Sequence, residues 1–244
     1  YNGKGELMTD YEWDALFDQL KRLEEETGEI LPDSPTNRVS EDSIVGKKEE
    51  HEFAALSLAK TKQVSDLVKW AEDRPIWISW KLDGLTLVVT YDGGILTKIV
   101  TRGNGHIGTN ITHLAPAISG IPATISEKGH LVVRGEAVIS YADFEQFIIE
   151  SEGDYANPRN LASGSLALKD IEEVKQRHIQ WIPFTLVYTE RELTSWGERM
   201  QMLKDLGMNP VERERIDHPT TENIQLEIDK FTEKVTSKKN PFPV

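Results

Sequence analysis

Between Ile76 and Thr101 the chain reads IWISW, KLDG, LTLVVTYDGGILTKIVT, three apolar runs broken twice. Apolar side chains recur at every second position: Ile76 and Ile78, then Leu85, Leu87 and Val89, then Ile95 and Ile99. A period of two is that of a half-buried strand, whose successive side chains point to opposite faces. Asp92-Gly93-Gly94 lies between the second and third runs. Glycine tolerates the positive φ of primed turns, so this is a hairpin signal. Lys81 then stands at the end of the first strand, just before the hairpin.

A lysine at a strand end has two readings. One is a solvated charge, the usual fate of Lys. The other is a nucleophile, which requires an amine deprotonated by desolvation or by nearby cations. Lys-x-Asp-Gly alone does not separate them. Further on, Glu136 lies inside the apolar run LVVRGEAVI, and a carboxylate there is costly unless it is paired or at a site.

Three more motifs follow KLDG: Thr101-Arg102-Gly103-Asn104-Gly105, Val133-Arg134-Gly135-Glu136 and Asn157-Pro158-Arg159-Asn160-Leu161-Ala162-Ser163-Gly164-Ser165. In this order and at these distances they resemble the adenylation domain of NAD-dependent DNA ligases, over nearly the whole chain. The resemblance implies an α+β fold. A covalent nucleotidyltransferase (ATP-grasp-like) domain with antiparallel sheets, residues 46–244, would follow a small helical nicotinamide-mononucleotide-binding subdomain and linker, residues 1–45. It implies that Lys81 attacks the α-phosphorus of NAD, releasing nicotinamide mononucleotide and leaving a lysyl-AMP used to seal DNA nicks.

The same resemblance assigns the site. Leu82 and Asp83 would contact the nucleotide, Asp83 at the ribose or orienting Lys81, and Gly84 would let the backbone come close to the sugar. Arg102 would fork onto phosphate or ribose oxygens. Glu136 would bind ribose hydroxyls or Mg²⁺, and Arg159 would approach the phosphates or nicked DNA. Residues 51–60, HEFAALSLAK, resemble a family segment in which Ser57 and Leu58 lie against adenine and ribose; read alone, the segment is a short buried strand or turn. Tyr1, Asp10, Trp13 and Asp14 match residues that hold the nicotinamide mononucleotide half, although helical spacing alone makes Trp13 a core residue. The departures are Ser79 where relatives carry an adenine-reading Glu, Trp13 for Tyr, Asn2 for His, and Ala167 for a second Arg. The family's later lysine motif would follow Val244. The resemblance therefore implies a fragment, or a split enzyme whose second polypeptide carries the remaining lysines and DNA-binding domains.

Two other readings stand beside this one. The chain is a ligase-like nucleotide- or partner-binding subunit, catalytically incomplete without a second chain, or the AMP donor is ATP. The Asp10, Trp13 and Asp14 set argues against ATP. With net charge −13 the chain is repelled by phosphate backbones unless its basic residues cluster, so the main grip on DNA is expected from other domains. Cysteine is absent, which excludes disulfides and thiolate zinc sites and fits the cytoplasm of a bacterial cell or a phage-infected host.

Local signals give the remaining elements. Thr9 and Glu12 form a capping box before an apolar stripe of Trp13, Leu16, Phe17, Leu20 and Leu23, closed by Gly28. Residues 29–50 read as a linker. Helices are expected over 65–73 (Leu67, Val68 and Trp70 apolar), 141–150, from Asn157 onward, after the Ser195/Glu198 box, and over 221–236 (Ile224, Ile228, Phe231 and Val235 on one face). Strands are expected over 131–139 and 179–188.

Overall fold

The computed structural model describes residues 16, 19–20, 22–24, 26–28, 44, 46–56, 58–151 and 155–244. The chain divides into two compact units, Tyr1–Ser43 and Ile44–Val244. In the first, the described residues up to Thr27 are helical. Gly28, at φ +69°, donates its N–H to the carbonyl of Glu24 at 2.9 Å, the closing bond anticipated from the sequence. Leu16 and Leu23 of the expected apolar stripe are exposed. The Thr9/Glu12 box, Trp13 and Phe17 lie outside the described residues.

The second unit is built on a four-stranded sheet in the order β4-β3-β6-β7, with β3 Leu85–Asp92, β4 Ile95–Thr101, β6 Leu131–Val138 and β7 Gln180–Thr189. Every pairing in it is antiparallel. Asp92 opposes Ile95, so the β3–β4 loop is Gly93-Gly94 alone, at φ +61° and +81°. That is the primed turn the sequence calls for, and its twist suits the strands it joins. The face carrying Leu87, Val89, Leu131 and Val133 is fully buried against Leu161 and Leu166 of helix Pro158–Leu166 and Met200 and Leu203 of helix Trp196–Asp205. Each such side chain contributes about 1.5–3 kcal/mol of burial. Helix Thr221–Thr236 and strand β7 fall where their patterns place them.

Two shorter sheets flank this frame: β1 Lys48–Glu50 pairs with β5 Ile107–Thr109, and β2 Ile76–Ser79 pairs with β8 Arg213–Ile216. The first apolar run therefore joins a different sheet from the hairpin that follows it. Some expected apolar positions turn outward. A register shift between Thr90 and Tyr91 leaves Ile95 exposed while Leu96 packs on the core. Trp70, on helix Val64–Ala71, and Val235 are exposed, while Leu67 and Val68 pack inward. No helix among the described residues is long and apolar enough to cross a membrane.

Candidate active site

Residues 80–84 bridge the two sheets. On one side Ser79 pairs with Arg213; on the other Leu85 pairs with Ala137. The segment is pinned along its length. Trp80 donates its indole N–H to Glu212 at 2.9 Å and meets Phe231 edge-on, with centroids 4.5 Å apart. Leu82 is buried with Val138 and Val211, and Asp83 donates its backbone N–H to Pro243 at 2.9 Å. With Leu82 turned in, Lys81 is left exposed at the surface.

Glu136 stands on β6 opposite Thr86 of β3 and is only 9% exposed. The Gly84 N–H reaches its Oε1 at 3.2 Å and the Thr86 hydroxyl its Oε2 at 2.8 Å. Burial pushes the Glu136 carboxyl above its ordinary pKa. The bonds from Thr86 and Gly84 and the charges of Arg159 and Lys81 pull it back down, so both cations act on this carboxylate. Gly84 has a tighter constraint than closeness to a sugar. A Cβ there would lie 2.2 Å from the carbonyl oxygen of Ala137 and 2.7 Å from a methyl of Val138. The close approach seen at Gly84 is therefore to strand β6.

Arg159, in the first turn of helix Pro158–Leu166, is brought to this place by the Asn157 cap, whose side chain accepts the N–H of Asn160 at 2.8 Å. It forms an ion pair with Asp83, both groups about half exposed. The residues expected at ribose and phosphate thus hold each other.

The rest of the face is crossed by a strap, residues 51–56. Ala55 lies on Val88 and Val132, and Phe53 stacks on Tyr188 at 5.3 Å. The strap's carbonyls are gripped by two arginines. Arg102 donates Nε–H to Ala55 at 2.9 Å, and its backbone N–H bonds Thr86 at 3.0 Å. Arg134, two residues before Glu136 on β6, donates from Nη2 to Phe53 at 3.1 Å and to Ala54 at 2.7 Å. Burial, then the neighbouring Arg102, lower the pKa of Arg134. Arg134 had no role from sequence; its signal was its place in VRGE, which puts it on the same strand face as Glu136.

Asp83, Glu136 and Arg159 are thus brought together, with Lys81 beside them, whereas the Arg102 guanidinium bonds the Ala55 carbonyl of the strap. Leu82 points inward and can meet a nucleotide only through its backbone. Ser79 sits in the other sheet. Leu58 is 86% exposed, so this part of the segment is not a buried strand. Ser57, Tyr1, Asp10, Trp13 and Asp14 lie outside the described residues. Among the described residues no three His, Asp or Glu side chains converge as a metal cage. Each Glu136 oxygen already accepts one hydrogen bond and keeps further acceptor capacity. That donor set fits Mg²⁺ held mainly by substrate phosphates, a mode this ion accepts.

Residues 47–243 match the family model of the NAD-dependent DNA ligase adenylation domain. The chain belongs to that family. Residues 1–40 match the DNA ligase-like, N-terminal NAD+-binding domain. Among curated proteins, the DNA ligase of Lachnoclostridium phytofermentans is 40% identical over 98% of this chain and 37% of its own length. That of Ruminiclostridium cellulolyticum is 39% identical over 100% of this chain and 37% of its own. The DNA ligase of Leptospira biflexa is 34% identical at the same two coverages. The chain therefore spans about 37% of the length of these relatives.

Proposed function

We propose that this chain performs the adenylation step of an NAD-dependent DNA ligase, with Lys81 as the nucleophile. The observation that carries this is a buried carboxylate, Glu136, bonded by the Gly84 N–H of the loop that bears Lys81, with Arg159 paired to Asp83 of the same loop. The neutral Nζ attacks the α-phosphorus of NAD. A P–N bond forms, the P–O bond to nicotinamide mononucleotide breaks, and that group leaves with the bonding pair. The proton displaced from Nζ as the P–N bond forms passes to the surrounding water, to which Lys81 is exposed. Phosphoryl transfer of this kind rests on positioning and charge neutralisation.

Arg159 leaves Asp83 to fork onto phosphate oxygens, freeing Asp83 for the ribose or for Lys81. Arg102 contacts the nucleotide from the strap side. Glu136 takes ribose hydroxyls or holds Mg²⁺, which when bound would offset phosphate charge. Ser57, Leu58 and Ser79 are the proposed adenine-side contacts, and Leu82 contributes backbone. Residues 1–45 form the nicotinamide mononucleotide subdomain, where Asp10 and Asp14 face the cationic ring and Tyr1 and Trp13 offer rings to stack on it. Residues 46–244 form the adenylation domain. Nicked DNA is the final substrate, with the remaining lysines and most of the DNA grip supplied from outside these residues, on the same or a second polypeptide. The setting is the cytoplasm.

The test is intact-mass measurement after incubation with Mg²⁺ and either NAD or ATP, for the wild type and Lys81→Ala. AMP addition from NAD alone, lost in the variant, is the expected result. Addition from ATP would overturn the donor, and addition to K81A would overturn the nucleophile. No adduct from either donor would favour a nucleotide-binding subunit.

A further inference from the structure

The strap packs on the strand face that also carries Glu136: Ala55 lies on Val88 and Val132, two residues from Thr86 along β3 and four from Glu136 along β6. Its inner side carries Ala55 and Phe53, and Leu56 beyond it is exposed. Apolar burial of Ala55 and the stacking of Phe53 hold it loosely in direction; hydrogen bonds fix its register. Two of those bonds come from the 102–106 turn, through Ala55 N–H to Gly105 at 2.6 Å and His51 N–H to His106 at 2.7 Å. The strand side contributes Arg134. One nitrogen of its guanidinium, Nη2, donates to two successive carbonyls and ties both to strand β6. The arrangement is costly: Arg134 is beside Arg102, and its Nε is buried without a partner. An uncompensated cost of this kind inside a site points to a task beyond general stability.

We infer that Arg134 is a positioning residue for adenine-nucleotide binding: it clamps the carbonyls of Phe53 and Ala54, holds the strap across the sheet, and so sets the affinity of the site without touching the reacting atoms. The inference rests on the proposed adenylation function for its ligand, while the clamp rests on geometry alone.

The experiment compares the full 244-residue wild type with Arg134→Met and Arg134→Lys. Three quantities are read: amide exchange at residues 51 and 55, the Kd for NAD, and the rate of AMP addition to Lys81 at saturating NAD. Thermal melting monitors folding. In R134M, exchange at both amides quickens and the Kd rises at least ~10-fold, the worth of one charged hydrogen bond. The rate at saturation falls far less than the affinity does. R134K, which keeps a charged donor but on a shorter, more flexible stem, lies between. Faster exchange with unchanged Kd would reduce Arg134 to a structural residue and overturn the inference. A raised Kd with unchanged exchange would make it a direct ligand contact, which also overturns it. Should the wild type neither bind NAD nor accept AMP, the functional reading fails on the unsubstituted protein, and exchange in R134M still decides the clamp. If R134M does not fold, R134K decides by the same criteria.

Discussion

Gly84→Ala tests the central joint of the site. The added methyl would lie 2.2 Å from the Ala137 carbonyl oxygen, a backbone atom unable to swing aside. Relief requires β3 and β6 to separate where Leu85 faces Ala137. Overpacking of this kind costs about 1–3 kcal/mol. The same movement withdraws the Gly84 N–H from Glu136, and a hydrogen bond to a charged group is worth about 1.5–3 kcal/mol. Together the loss is about 2.5–6 kcal/mol. For a chain of this size that lowers Tm by roughly 10 °C. Circular dichroism melts measure it, and intact mass after NAD treatment measures AMP uptake, which should fall well below wild type even at temperatures where G84A is folded. A G84A protein melting within about 2 °C of wild type and taking up AMP at the same rate would refute the reasoning, because the joint would then tolerate a side chain.

Three further outcomes follow from the same geometry. In Glu136→Gln the raised carboxyl pKa is removed; in the wild type that group costs stability as pH rises from its unfolded value of about 4.3 through its folded one, so melts of E136Q lack this decline while AMP uptake drops about 100-fold, the cost of misplacing a reacting group. Arg159→Ala breaks a half-exposed pair, so stability shifts by under about 0.5 kcal/mol in melts. Its NAD affinity, read by titration, falls ~10-fold or more. His130 bonds Asp92 at 2.6 Å and Glu52 at 2.8 Å, which raise its pKa above the usual 6.5. Its stabilisation is complete below 6.5 and is lost as pH rises through the raised value, so wild-type Tm declines in that window and His130→Asn shows no such decline, a difference under about 1 kcal/mol for partners this exposed.

What could be read in advance was local. The Gly93-Gly94 turn, the Ser195/Glu198 box, the Gly28 closure and helix Thr221–Thr236 each depend on residues within one turn or one hairpin, and each stands where its pattern puts it. The pairing of β2 with β8 and of β1 with β5 was invisible, because no short-range pattern specifies a partner that far along the chain. Ile95 and Trp70 were misplaced for related reasons: a bulge and a helix edge decide their exposure, and periodicity carries neither. In the site, only the family resemblance put Lys81, Asp83, Glu136 and Arg159 in one place; the residues read alone did not. The donors to Glu136 and the clamp made by Arg134 required the register of β3 against β6.

The loop bearing Lys81 hangs between a strand completed early and one completed late. Ser79 finds its partner in Arg213, well over a hundred residues further along. At typical synthesis rates of about 5–20 residues per second, roughly 7–27 seconds separate the appearance of the two strands. Through that interval the nascent chain has its lysine but not the frame that aims it. On the proposed role of Lys81, reactivity would be a late acquisition of this fold, reached only after β8 has left the ribosome and docked.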